Sequence, residues 1–147
     1  MKFKYFLIIF ISNVLILKLY AKDFSKFSAK DLGLTTIEYA KTPQEQATGL
    51  MHRSNLCENC AMLFVYDKPV QNSFWMKETI ISLDMLFINE EGKIVAISED
   101  TEPLNETILY KSPVKYNYVL ETNAGFAKKK HVKIDSYFDM TSFLKAN

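Results

Sequence analysis

The residues best suited to chemistry lie in and around positions 72–88, which read NSFWMKETIISLDMLFI. A cation, Lys77, and an acid, Asp84, are embedded there among large apolar side chains. Alternate residues of a β-strand share a face, so Trp75, Lys77 and Thr79 would project together. Burying a charge without a partner is costly, so each charged group needs an ion-pair partner or a wet pocket.

Two interpretations of this pattern stay open. In the first, Trp75 forms the apolar wall of a cleft in which charged groups orient a small polar ligand, anionic or polyhydroxy. In the second, Arg53 and Lys77 only tie the helix and loops to the sheet by pairing with acids, because structural networks also perturb charges. Asp84 and Glu121 are the acids available for those pairs. The candidate ligand-binding residues are Arg53, Trp75, Lys77, Thr79, Asp84, Glu102 and Glu121.

A hydrolase is the competing function. Two of Asp84, Glu102 and Glu121 could serve as general acid and base, but a sequence does not give their separation. No Ser stands in a nucleophile elbow and no Gly-rich phosphate loop is present, so no catalytic motif is recognised. A structural or protein-interaction domain without a ligand site is the third alternative. We expect a binding module without a cofactor, and leave catalysis open.

The two cysteines, Cys57 and Cys60, form a CENC motif. A redox motif normally follows a strand and opens a helix, whereas this pair precedes a predicted strand. A metal site would have to recruit His52 and His131, which are far apart in the sequence. In an exported chain a disulfide that clips a loop is the simplest interpretation. We therefore expect a Cys57–Cys60 disulfide and no metal site.

Composition indicates a globular protein. The 147 residues are 48% hydrophobic and 14% aromatic, with a net charge of +1. The aromatic content argues against disorder, and the balanced charge gives no general attraction to nucleic acid. The only basic run, Lys128 to Lys130, is interpreted as a solvated helix end, so no nucleic-acid partner is expected.

The amino terminus resembles an export signal. Lys2 and Lys4 precede an apolar run over residues 5–17, which is short for a membrane span of about 20 residues. We predict a signal peptide over residues 1–21, a linker over 22–33 and a single β-rich domain over 34–147. An uncleaved anchor is the alternative, and the membrane would then be contacted only through this segment. Either way the domain would be extracytoplasmic, for example periplasmic.

Alternation of apolar and polar residues predicts a mostly β fold of about seven strands. The expected strands cover residues 34–41, 61–66, 73–78, 83–89, 94–99, 115–121 and 132–134, with residues 137–140 as a further candidate. One main helix is expected from Thr42 to about Met51, because Thr42 and Glu45 can form a capping box around Pro43. The predicted fold class is β-rich α+β: a compact, curled antiparallel sheet or small barrel.

Five blocks resemble a known family: GLMHR at 49–53, AMLFVY at 61–66, FWMKET at 74–79, SLDMLFI at 82–88 and VLETNAG at 119–125. Together they resemble family 192 of the domains of unknown function, small and often exported bacterial and archaeal proteins. The resemblance covers residues 34–134 and implies a single β-rich domain whose role is not established. Glu78 stands where the family pattern has Asn, Ser82 where it has Pro, and Asp135-Ser136 where it has Gly-Asp.

Overall fold

The computed structural model describes residues 26–145, so the predicted signal peptide over residues 1–21 lies outside the described residues. Within residues 26–145 there are nine strands and three short helices. In chain order they are β1 (Lys26–Phe27), β2 (Thr36–Ala40), α1 (Pro43–Thr48), β3 (Cys60–Val70), β4 (Ser73–Phe74), β5 (Leu83–Ile88), β6 (Ile94–Ser98), β7 (Tyr110–Lys111), β8 (Tyr116–Asn123), α2 (Phe126–Lys129), β9 (Tyr137–Phe138) and α3 (Met140–Leu144).

A five-stranded sheet with the spatial order β2-β3-β8-β5-β6 forms the centre of the fold. The pair β2-β3 is parallel and the other three pairs are antiparallel. The predicted β-rich, curled sheet is therefore confirmed. The barrel alternative is wrong for the part of the chain described, because β2 and β6 remain the two edges of an open sheet. The strand total exceeds seven because two-residue pairs, β1-β9 and β4-β7, lie beside the main sheet.

Each face of the sheet has its own hydrophobic core. On one face Leu63, Leu86 and Leu120 pack with apolar residues of the segments before β2 and after β8. On the other face Phe64, Met85 and Val119 pack with the turn after α1 and with the segment that follows β4. All six residues of β5 are buried, which is the pattern of a strand covered on both sides.

The helix α1 begins as the sequence predicts. Thr42 accepts a hydrogen bond from the Glu45 N–H, and the Glu45 side chain reaches back to the backbone of the cap residue. The helix ends at Thr48 rather than near Met51, because Gly49 leaves helical geometry with φ 48° while its N–H still bonds to the Glu45 carbonyl. A Cβ at Gly49 would lie 3.2 Å from the Phe64 ring. Leu50 then turns inward and is only 2% exposed.

Three element predictions are corrected. The strand predicted over residues 73–78 is only β4, and the chain leaves strand geometry after Phe74. The strand expected over residues 61–66 continues to Val70 as β3, and its register with β8 shifts between Val65 and Val70. Residues 132–134 form no strand.

The described part of the predicted linker, residues 26–33, belongs to the domain. Lys26 and Phe27 form β1, which pairs with β9 near the carboxyl end. Ala29 and Leu32 are 4% and 1% exposed and pack in the first of the two cores. Apolar side chains of the predicted linker are thus core residues.

The predicted disulfide between Cys57 and Cys60 is formed, with the two Cα atoms 5.0 Å apart. It links the end of the connection between α1 and β3 to the first residue of β3. No helix within residues 26–145 has both the length and the apolar character to cross a membrane.

Candidate functional site

A cleft of about 410 Å³ opens on the second face of the sheet. One side is formed by α1 and the turn that follows it, and the other by residues 72–79. Four aromatic rings line it: Phe64, Tyr66, Phe74 and Trp75. The Phe64 and Phe74 rings pack edge to face with centroids 5.1 Å apart, which fixes part of the wall.

Glu121 lies in the lining of this cleft on the central strand β8. Its neighbours across the sheet are Met62 on β3 and Met85 on β5, so the sheet register places its side chain on the cleft face. The residue is 4% exposed. Burial raises the pKa of its carboxyl group from 4.5 to about 8. No ion pair or hydrogen bond from any residue within 26–145 reaches that carboxyl group.

Two tyrosines stiffen the wall beside Glu121. Burial raises the pKa of the Tyr66 phenol, partly opposed by a hydrogen bond with the Asn72 side chain. The Tyr116 hydroxyl donates to the Asn72 carbonyl oxygen at 3.0 Å, and burial also raises the pKa of Tyr116. Both phenols therefore remain neutral across the physiological range, and Asn72 is held between them.

Trp75, Lys77 and Thr79 come together at the cleft, although not by strand alternation. Trp75 lines the rim and is 46% exposed. The Lys77 Nζ lies 5.4 Å from the centroid of the Trp75 ring, within the range of a cation–π contact, and is not part of the lining. Thr79 is buried in the lining and its hydroxyl donates to the Lys77 carbonyl at 3.1 Å.

The loop that carries these residues is held by a neighbouring loop. The Met76 N–H donates to the Asn105 carbonyl at 3.1 Å, and the Leu104 N–H donates to the Thr79 carbonyl at 2.9 Å. Glu78 has a positive φ of 50°, a conformation that Asn adopts more readily than Glu. The departure from the family pattern at Glu78 thus falls on a backbone position where Asn would fit better.

Asp84 lies on the opposite face of the sheet from Glu121 and is 0% exposed. Its carboxyl group accepts hydrogen bonds from the N–H groups of Asp100 at 3.0 Å, Gly125 at 3.2 Å and Ala127 at 2.9 Å. All its contacts are therefore with backbone that it helps to position. The strand alternation that buries Leu83 and Met85 on the cleft side directs Asp84 away from the cleft.

Arg53 and Glu102 also lie apart from the cleft. The Arg53 guanidinium makes two hydrogen bonds to the Glu38 carboxylate, the longer at 2.6 Å, in a separate hollow of about 290 Å³. This pairing lowers the pKa of Glu38. Glu102 is exposed, and its backbone N–H donates to the Tyr110 hydroxyl at 2.8 Å.

The seven candidate ligand-binding residues therefore fall into two groups, one at the cleft and one away from it. The cleft unites Trp75, Thr79 and Glu121, with Lys77 beside the rim, whereas Arg53, Asp84 and Glu102 are elsewhere. The ion pairs considered from the sequence are not the ones formed, because Arg53 pairs with Glu38 and Asp84 binds backbone. Among the residues the structure describes, no group of three or more His, Cys, Asp or Glu side chains could hold a metal ion.

Sequence reasoning did not identify the other lining residues. Tyr66 closes the block AMLFVY, so its position within a family block was an available signal. Asn72 gave no such signal, because its contacts form only when Tyr66 and Tyr116 approach it in the folded chain. Gln46 on α1 lines the cleft, and its side-chain amide donates to the Val65 carbonyl at 2.9 Å.

Comparison with known proteins places the chain in a family. The model of DUF192, described as an uncharacterised ACR, matches residues 26–140. The chain belongs to the DUF192 family. The resemblance drawn from the five blocks is thereby confirmed. No curated protein matches the chain.

Two solved structures share the DUF192 fold of this chain. One is a candidate transcription regulator from Sinorhizobium meliloti 1021, with 36% identity and a TM-score of 0.66, covering 69% of this chain and 78% of that one. The other is a protein of unknown function from Novosphingobium aromaticivorans DSM 12444, with 33% identity and a TM-score of 0.66, covering 69% of this chain and 71% of that one.

Proposed function

We propose that this DUF192 protein is a binding module that holds a small polar molecule in the cleft over Glu121. The observation that carries the proposal is a buried carboxyl group without a partner in the lining of an open cleft. The Glu121 carboxyl group is nearly buried and has no protein partner, so a ligand in the cleft would supply its missing contact.

The composition of the cleft supports the same proposal. Each of the five family blocks supplies lining residues, for example Met51, Tyr66, Trp75, Leu83 and Glu121. A mostly apolar and aromatic wall with a few polar groups is typical of small-molecule sites. The blocks that identify the family are thus the blocks that build the cleft.

The geometry favours a neutral, polyhydroxy or cationic ligand over an anionic one. No Lys, Arg or His occurs in the lining of the cleft within residues 26–145. Arg53 is engaged by Glu38, and an anion would lie beside the Glu121 carboxyl group. The anionic ligand considered from the sequence therefore has no cation in the lining, and only Lys77 remains, beside the rim.

The hydrolase alternative gains no support from this cleft. General acid–base hydrolysis by paired carboxyl groups needs both groups at one bound substrate. Asp84 is on the other face of the sheet and Glu102 is exposed outside the lining, so Glu121 is the only carboxyl group lining the cleft within residues 26–145.

The cleft can be tested with a blocking substitution on α1. Ala47 is exposed and lines the cleft, so Ala47→Phe should fill its mouth at little cost in stability. Gln44→Phe is the matched control on the same helix, beside the Arg53 hollow. We expect saturation-transfer NMR with a mixture of sugars, polyols, amino acids and amines to reveal a ligand of the wild-type protein. Ala47→Phe should weaken its binding at least about tenfold, and Gln44→Phe should not.

Either of two results would contradict the proposal. In one, no compound of the mixture binds the wild-type protein. In the other, a compound binds Ala47→Phe as tightly as the wild-type protein, which would place its site elsewhere.

Export is part of the proposal. A basic start, a short apolar run and a disulfide together fit an oxidising extracytoplasmic space. We expect the mature protein recovered from the cell envelope to begin near Lys22, as measured by intact mass. A chain that retains Met1 and is found only in the cytoplasmic fraction would show that the segment is not an export signal.

A further inference from the structure

The unpartnered carboxyl group in the cleft limits the charge of a bound molecule. Glu121 and Tyr66 are the titratable side chains of the lining within residues 26–145. Each is neutral when protonated and negative when deprotonated, so neither can carry a positive charge. The side chains facing Glu121 from the neighbouring strands, Met62 and Met85, are apolar. A ligand with a positive charge would supply the counter-ion that the protein lacks at this point.

The aromatic lining is suited to the same charge. Phe64, Tyr66, Phe74 and Trp75 surround the space, and the faces of aromatic rings attract cations. The Trp75 ring already has the Lys77 ammonium 5.4 Å from its centroid on the rim. This indole is thus placed where it stabilises a positive charge, and recognition of quaternary ammonium groups by aromatic side chains is a known use of such contacts.

We infer that the cleft binds an organic cation, with its ammonium group against the Glu121 carboxylate and among the aromatic rings. The inference rests on the proposed function and names the ligand class of that same cleft. A polyhydroxy ligand would instead require donors and acceptors along its whole length. The lining offers these at few points, chiefly Gln46, Asn72, Ser73 and Thr79.

Binding of a cation should be linked to proton release. Burial keeps the Glu121 carboxyl group protonated up to a pKa of about 8, so a cation bound at neutral pH has to displace that proton into solvent. Tyr66 faces the same space, and burial raises the pKa of its phenol, so it stays neutral in this range. Lys77 lies on the rim and is not part of the lining.

Choline and its uncharged isostere 3,3-dimethylbutan-1-ol form a matched pair of probes. Trp75 is the single tryptophan of the chain and lines the cleft, so its fluorescence reports occupancy. We expect the choline affinity to rise about tenfold per pH unit between pH 6 and 7 and to level off above about pH 8. Above pH 8 the alcohol should bind at least about tenfold more weakly, without pH dependence.

Two variants separate charge pairing from shape. Glu121→Gln should reduce choline binding to the level of the alcohol and abolish its pH dependence, with a thermal unfolding curve confirming the fold. Glu102→Gln, an exposed carboxyl group outside the lining, should leave both unchanged.

The outcomes distinguish the inference from the proposed function. Equal affinity for choline and the alcohol at pH 8.5 would overturn the cation inference and leave a binding cleft in place. An unchanged Trp75 fluorescence in the presence of either probe would also overturn the cation inference. The proposed function would then fall only if the NMR screen of the cleft-blocking variant also found no ligand.

Discussion

Replacement of Asp84 by Ala is expected to lower the free energy of unfolding by about 3–5 kcal/mol, since each buried donor left unpaired costs about 1–3 kcal/mol. The carboxyl group is fully buried and receives three backbone N–H groups, from Asp100, Gly125 and Ala127. The last two belong to the turn that starts α2, so the loss would also loosen the connection between β8 and α2. Urea denaturation measures the change.

Surface controls make the test of Asp84 specific. Asp139→Ala removes a side-chain cap from α3, where Asp139 accepts from the Thr141 N–H at 3.1 Å, and should cost about 1 kcal/mol. Lys77→Met should cost less than about 1 kcal/mol, because Lys77 contacts Trp75 and not Asp84. If Asp84→Ala costs no more than Asp139→Ala, the backbone contacts of Asp84 do not hold the fold together. If Asp84→Leu restored the stability lost in Lys77→Met, that result would instead support the buried Lys77–Asp84 ion pair considered from the sequence.

Replacement of Glu121 by Gln is expected to raise the free energy of unfolding at pH 7 by about 3 kcal/mol and to remove a pH dependence. The folded chain holds the Glu121 proton up to a pKa of about 8, whereas the unfolded chain releases it near 4.5. Stability from this group is complete below about pH 4.5 and is lost as the pH rises toward 8. The slope is about 1.4 kcal/mol per pH unit between those values.

Urea unfolding at pH 4.5, 6, 7 and 8 checks this prediction. The wild-type and Glu121→Gln proteins should be similarly stable at pH 4.5 and diverge as the pH rises. The Arg53 contact lowers the pKa of Glu38, so Glu38 contributes a dependence of opposite sign that lies below about pH 4.5, outside this window. Parallel curves for the two proteins between pH 4.5 and 8 would mean that Glu121 is not held protonated by burial. Glu102→Gln serves as the exposed control.

The two predictions assign opposite effects on the free energy of unfolding to the two acids. We expect Asp84 to stabilise the fold, because its buried carboxyl group accepts three backbone hydrogen bonds. We expect Glu121 to destabilise the free protein near neutral pH, because its carboxyl group is buried without a partner. A residue that lowers the stability of the free protein fits a site whose contacts are completed by a ligand.

The sequence by itself determined the local features of this protein. Strand alternation gave the β-rich class, and the Thr42 to Glu45 spacing gave the capping box at α1. The Cys57–Cys60 pair together with the export-like amino terminus gave the disulfide, and five short blocks gave the family. Each of these depends on residues within a few positions of one another, where geometry is limited by the backbone.

Only the tertiary structure decided which charged residue lines the cleft, which one binds backbone and which one forms an ion pair. Asp84 and Glu121 look alike in the sequence, since each acid stands in an apolar strand. The register that aligns Met62, Glu121 and Met85 across three strands directs Glu121 into the cleft, and the same pairing turns Asp84 toward the α2 turn. Arg53 likewise pairs with Glu38, fifteen positions away in the sequence, rather than with an acid of the central segment. Such choices follow from cross-strand pairing and loop closure, which join residues distant in the chain and leave no local pattern.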